Sequence, residues 1–334
     1  MSATEAPHET NVRVRGLELF VREGGAGNPL LLVNGLGANV EMWGPVEERL
    51  SACARTIVFD APGTGRSATP LWPQSIPASA AVVEGLLDEL GHECVDVLGF
   101  SLGGLVAQEL ARRAPRRIRR LALAGTAVGW GSMPGTMPAL ALMAMPARYY
   151  SRALSEQTNW LLSPADRALL RRLTALTEAR LRHPPSLLGY AGQFWAAAFW
   201  SSLRWLSSVR VPTLVVHGEA DHLVPPANGV QLARLLPEAR LHVLPGEGHF
   251  FVFDPESAAL PLLENFFSSP TPASSSAWSS GTAIEDDATV DAAFARSVGA
   301  QPYRTLSTVF RRLVQPAAPN DDASARPPAA RRRA

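Results

Sequence analysis

The run Gly99, Phe100, Ser101, Leu102, Gly103 restricts what the rest of this chain can become, because it joins a short apolar stretch to an alanine-rich one. Residues 94–98, Cys-Val-Asp-Val-Leu, read as a buried strand. Leu102, Val106 and Leu110 then recur every four residues, as one face of a helix does. A serine at such a strand-to-helix corner is held in a strained turn with its hydroxyl clear of the sheet. Glycines on either side let strand and helix approach closely. The helix N-terminus beneath adds partial positive charge and free backbone N–H groups, which suit an oxyanion.

A nucleophilic serine needs a base to take its proton and a carboxylate to orient that base. After such a corner they follow in the order acid, then histidine. Residues 211–216 form a second apolar strand and run into His217, Gly218, Glu219, Ala220 and Asp221. Asp221 therefore lies on a loop past a strand's carboxyl end, where ligand sites of open parallel sheets collect. Glu219 competes for the acid role on the same loop, and a turn-capping role for Asp221 is the bland alternative. Residues 241–244 read as the next strand, and His249 follows in Gly-Glu-Gly-His-Phe. Of the other histidines, His217 ends a strand and reads as structural, His222 and His242 as solvated or strand-facing, and His8, His92 and His183 have no partner motif. No pair shows the helical zinc spacing with a glutamate between, so no metal is expected.

An oxyanion hole takes one N–H from the residue after the nucleophile and one from an earlier loop. Leu102 supplies the first. Residues 30–33 are a buried strand followed by Asn34, Gly35, Leu36 and Gly37, so the Leu36 N–H is the natural second donor. An ordinary glycine-rich turn is the alternative. Residues 60–67, Asp-Ala-Pro-Gly-Thr-Gly-Arg-Ser, lack the dinucleotide spacing and a following lysine, and read as a turn supporting the site.

Short apolar strands alternate with helical stretches from about residue 30 to 267. With 46% hydrophobic content over 334 residues, this implies an α/β fold: a mostly parallel sheet with helices on both faces. Residues 12–21 read as an edge hairpin. Asp254 and Pro255 read as the opening of the last helix, with Leu260, Leu263 and Phe267 inward and a bend at Pro261. The alternation breaks between about 125 and 208, where one helix is expected from Ser163, Pro164, Ala165 and Asp166 and another over 190–206. The domain reading is a core of 1–125 and 209–267, a helical lid of 126–208, a Ser/Pro/Ala-rich flexible linker of 268–284 and a tail of 285–334. In the tail, Leu306, Val309, Phe310 and Leu313 share a helical face flanked by Arg304, Arg311 and Arg312, and the end is disordered in composition.

The insertion holds five of the eight tryptophans and four of the six methionines. Such residues are usually core filler, but a small lid lacks the volume to bury them all. Some are expected to line an apolar acyl pocket, with Met143, Trp195 and Trp200 as candidates. The net charge of +1 gives no global pull toward nucleic acid or anionic membranes. No lysine occurs, which removes Schiff-base chemistry and P-loop phosphate transfer. Cys53 and Cys94 read as buried thiols. No apolar run is long enough to span a membrane, and a cytosolic protein is expected.

Together these residues resemble the α/β-hydrolase superfamily. Asn34, Gly35, Leu36, Gly37, Ala38 and Asn39, the Gly-Thr-Ala-Val-Gly of 125–129, the Met/Pro segment to Arg148 and Tyr149, and residues 194–206 are similar to the intracellular medium-chain-length poly(3-hydroxyalkanoate) depolymerases. That family typically has tryptophan where this chain has Leu102. The resemblance implies a serine hydrolase that cuts ester links of a hydrophobic 3-hydroxyacid polymer, without cofactor, with Ser101, Asp221 and His249 as triad and a storage-granule surface as partner. The alternatives are a carboxylesterase, lipase or thioesterase for smaller acyl substrates and, from another class, a non-catalytic binding protein of the same fold.

Overall fold

The computed structural model describes residues 7–162 and 167–286, together with Thr289. The amphipathic tail stripe at 306–313 and the helix start at 163–166 lie outside the described residues. Eight strands form one sheet: β1 (His8–Val14), β2 (Leu17–Gly24), β3 (Pro29–Val33), β4 (Arg55–Phe59), β5 (Val95–Phe100), β6 (Ile118–Ala124), β7 (Thr213–Gly218) and β8 (Ala239–Leu244). Their spatial order is β1-β2-β4-β3-β5-β6-β7-β8. β2 pairs antiparallel with both neighbours, and every pairing from β4 to β8 is parallel. β1 and β2 are the edge hairpin, turning at Arg15 and Gly16 with positive φ.

Ten α-helices accompany the strands among the described residues: α1 (Gly44–Ser51), α2 (Ile76–Glu89), α3 (Leu102–Arg113), α4 (Met137–Ala144), α5 (Arg152–Leu162), α6 (Arg167–Arg182), α7 (Leu187–Ala198), α8 (Ala227–Leu235), α9 (Ala259–Ser268) and α10 (Ser276–Ser280). The strand sequences are apolar on both faces because both faces are covered. Alternate residues enter different cores. Leu31, Val33, Val97 and Val215 pack with α2, α3 and α8, whereas Leu30, Leu32, Leu98, Phe100 and Val216 pack with α1 and α9. The strand order reverses between β3 and β5, so the loops after these two strands open side by side at a topological switch point. Those loops begin at Asn34 and Ser101.

Between β6 and β7 the chain leaves the sheet for α4, α5, α6 and α7. α4 reads Met-Pro-Ala-Leu-Ala-Leu-Met-Ala, with no polar residue to reveal a period, so its pattern does not announce a helix. α7 begins earlier than the sequence suggests, at the Ser186 cap whose hydroxyl accepts from Gly189 N at 3.0 Å. It also ends earlier, because the Trp200 carbonyl accepts from Trp130 N at 2.7 Å and is drawn into a bridge instead.

Three further expectations are corrected. The last helix starts at Ala259, not at Asp254, whose side chain accepts from Glu256 N in a preceding turn. Glu247 accepts from Ala258 N at 2.9 Å and so serves that helix end, while Pro261 lies in the first turn, where its missing N–H bends nothing. Cys94 is exposed in the turn before β5, and Cys53 is half-buried with its thiol on the Leu50 carbonyl. The stretch 268–284, expected as a flexible linker, carries α10, buries Ala277 and Ile284, and bridges Thr282 to Leu241 of β8. Its serines satisfy the backbone locally, and Asn265 Oδ1 of α9 accepts from Ser275 Oγ at 2.8 Å and from Ala277 N at 3.0 Å. Asn265→Ala should leave those two donors without their partner and cost about 1–3 kcal/mol in urea denaturation. An unchanged midpoint would show that the segment contributes nothing to the fold.

Candidate functional site

Ser101 sits on the last residue before α3 with φ 52 and ψ −119, a conformation that non-glycine residues rarely adopt. Packing imposes it. A Cβ at Gly103 would fall on the Val33 and Asn34 carbonyl oxygens, so only glycine lets α3 start this close to β3. Ser101 N donates to Ala124 O at 3.0 Å, and Thr126 Oγ1 donates to Ser101 O at 2.6 Å. The turn is thus held from the neighbouring strand.

Three loops after three strands bring their side chains together here. His249 Nε2 lies 3.2 Å from Ser101 Oγ, and His249 Nδ1 lies 2.7 Å from Asp221 Oδ2. Asp221 Oδ1 accepts from Leu223 N at 2.9 Å and Val224 N at 2.8 Å. Both residues are sealed, His249 at 2% and Asp221 at 3% exposure. Glu219 is exposed and turns instead to Gly246 N at 3.0 Å. The histidine loop is anchored from both sides. Glu247 ties it to α9 through Ser257 and Ala258, and His249 N donates to Leu162 O at the end of α5 at 2.8 Å.

Leu102 is the first residue of α3, so its N–H is among those with no intrahelical acceptor. Leu36 borders the same cavity as Ser101 and His249. That cavity is also lined by Met42, Met143, Arg148, Tyr149 and Phe250 and measures about 20 Å³, the room of a single water. Of the three residues expected in an acyl pocket, only Met143 is there. Trp195 is 57% exposed and stacks on Phe199 at the outer surface of α7. Trp200 is buried in the core over α3, with its indole N–H on Glu109. The pocket expectation fails for these two because Trp195 lies on the exposed side of α7 and Trp200, beyond the end of that helix, packs into the core over α3.

Two residues build the site from outside it: Asp60, in the turn already read as supporting it, and Gln193, which escaped sequence reasoning. Asp60, at the end of β4, accepts from Val40 N and Arg66 N, both at 2.8 Å, and ties the loop after β3 to the loop after β4. Burial pushes it up to about 6 against those two hydrogen bonds. Gln193 accepts from Gly37 N at 3.0 Å; the signal was a lone amide in a helix otherwise almost wholly apolar. Among the described residues, no group of three or more His, Cys, Asp or Glu side chains is arranged to hold a metal ion. No described helix is long and apolar enough to cross a membrane.

His217, fully buried beside Asp221 and His249, is pushed down to about 4 by burial. Between pH 6.5 and that value only the unfolded chain binds the proton, so its contribution to stability is complete above 6.5 and lost as pH falls. Asp60 acts oppositely. Between 3.8 and about 6 only the folded chain holds its proton, and stability falls as pH rises. Comparing wild type with His217→Gln isolates the histidine. The stability difference measured by urea unfolding should shift by about 3 kcal/mol in favour of wild type from pH 4 to pH 7. A pH-independent difference would mean that His217 titrates normally.

A family model described as alpha/beta hydrolase fold matches residues 28–256. A poly(3-hydroxyalkanoate) depolymerase of Ectopseudomonas oleovorans is 35% identical over 243 residues, covering 71% of this chain and 83% of that protein. A pimeloyl-[acyl-carrier protein] methyl ester esterase of Aromatoleum aromaticum is 34% identical over 257 residues, covering 71% and 96%. The crystal structure of the enol-lactonase from Burkholderia xenovorans LB400 superposes with a TM-score of 0.68 at 27% identity, over 78% of this chain and 100% of that one.

Proposed function

This chain belongs to the alpha/beta hydrolase fold family, and from that premise we propose that it is a serine hydrolase acting on ester bonds of hydrophobic 3-hydroxyacid polymers or oligomers. The observation that carries the reading is the chain of hydrogen bonds from Ser101 through His249 to Asp221. His249 Nε2 takes the Ser101 proton as Oγ attacks the ester carbonyl. The Leu36 and Leu102 N–H groups hold the oxyanion, and Asp221 stabilises the imidazolium. His249 then returns the proton to the departing alkoxide. Water, activated by the same imidazole, hydrolyses the acyl-enzyme.

Likeness to the depolymerase supports the polyester substrate, and a granule surface in the cytoplasm is the setting we propose for it. One observation favours a second reading, a small-ester hydrolase. The cavity beside Ser101 is only about 20 Å³, and two of the three proposed acyl-pocket residues lie elsewhere. Chain-length profiles separate the two. The polyester reading expects kcat/KM to climb from acetate to esters of roughly six to twelve carbons, since each buried methylene adds about 0.8 kcal/mol. It also expects 3-hydroxyacids to be released from amorphous granules. A profile peaking at acetate with inert granules selects the small-ester enzyme.

Ser101→Ala should lower turnover of a 4-nitrophenyl ester by about four to six decades, with His249→Ala alike and Asp221→Asn somewhat less damaging. Glu219→Gln should change little. Near-wild-type activity of Ser101→Ala would overturn the serine mechanism.

A further inference from the structure

We propose that Tyr149 and Gln193, carried on the inserted segment, are positioning residues that set the Leu36 N–H as an oxyanion donor. The inference rests on the ester chemistry proposed for Ser101. The peptide joining Leu36 to Gly37 is held at both ends by that insertion. The Tyr149 hydroxyl donates to the Leu36 carbonyl, and Gly37 N donates to Gln193 Oε1 at 3.0 Å. Because a peptide unit is planar, fixing its oxygen and its N–H fixes its whole orientation. The preceding peptide, which carries the Leu36 N–H, is held at its own oxygen, where Gly35 O accepts from Ala38 N at 3.1 Å. The donor is therefore bracketed on both sides, and one bracket belongs entirely to the inserted helices.

Independent features support the same contact. Gly37 has φ +69, and a Cβ there would lie 2.9 Å from the rings of both Tyr149 and Tyr190. No side chain could stand between the loop and these rings. Tyr149 is itself gripped, with the Arg148 guanidinium 4.7 Å and the Arg180 guanidinium 5.7 Å from its ring centre. Gln193 is equally fixed, since its amide nitrogen donates to Pro62 O at 3.2 Å. Both residues are buried, at 3% and 4% exposure. Neither is a catalytic residue in this account. Gln193 acts only through the loop, and so does the Tyr149 hydroxyl, although the Tyr149 ring borders the cavity.

The small cavity gives this bracket a consequence. Tyr149 lines the space beside Ser101, and about 20 Å³ does not admit an acyl chain. Entry of an ester therefore calls for movement in this wall, to which the inserted segment contributes Met143, Arg148 and Tyr149, and a shift of Tyr149 would release Leu36 O.

Tyr149→Phe removes one oxygen and Gln193→Met removes the amide, both with little change of volume. Each should lower kcat on 4-nitrophenyl butyrate roughly ten- to a hundredfold with KM within about twofold, as expected when transition-state geometry alone is lost. Affinity for a trifluoromethyl ketone, which forms a tetrahedral adduct, should fall by the same factor as kcat/KM. Burst titration should count as many active sites as in wild type. Loss confined to KM, or explained by fewer active sites, would overturn the positioning role. If wild type itself shows no Ser101-dependent ester turnover, the proposed function fails, and this inference fails with it.

Discussion

The Asp221 carboxylate is buried at 3% exposure, and such a group is tolerated only where donors converge on it. Here the backbone of Leu223 and Val224 meets one oxygen and the His249 ring meets the other. That arrangement fixes the imidazole in rotation, leaving Nε2 directed at Ser101. Everything else in the site serves to keep these loops in register. The parallel pairing of β5, β6, β7 and β8 sets the strand ends, the Val33 carbonyl sets α3, and Glu247 sets the histidine loop.

The inserted helices are wired into that floor rather than laid over it. Three of the four site loops exchange at least one hydrogen bond with them. The loop after β3 is met by Tyr149 and Gln193, the loop after β7 by Thr136 N on the His222 carbonyl, and the loop after β8 by the Leu162 carbonyl. Asn39 reaches up in turn, donating to Ala179 O and His183 O, both at 2.9 Å. A region that has the look of a separate cover is thus coupled to the loops of Leu36, Asp221 and His249 together.

What could be read from residues was what short-range periodicity and loop placement encode. The buried strands, the edge hairpin, and the meeting of Ser101, Asp221 and His249 follow from apolar runs ending in turns. The choice of Asp221 over Glu219 rested on its place in the turn after the strand, and the loop does turn Asp221 toward His249 and Glu219 toward Gly246. α4 hid because an all-apolar helix has no period to detect. Trp195 and Trp200 were misjudged for a related reason: composition says that a segment is apolar, not which side of it faces a cavity. Serine-rich 268–284 looked flexible because its fold depends on hydroxyl-to-backbone bonds and on a distant partner, Asn265, that no local pattern reveals.

The backbone at Ser101, with φ 52 and ψ −119, carries a cost of order 1–3 kcal/mol that the neighbouring strands sustain. Glycine adopts such angles freely. A search for more stable sequences on this backbone therefore rewards replacing the one residue on which the proposed chemistry rests. Any thermostability selection made without an activity screen drifts toward a well-folded, silent chain, and position 101 is where that drift begins.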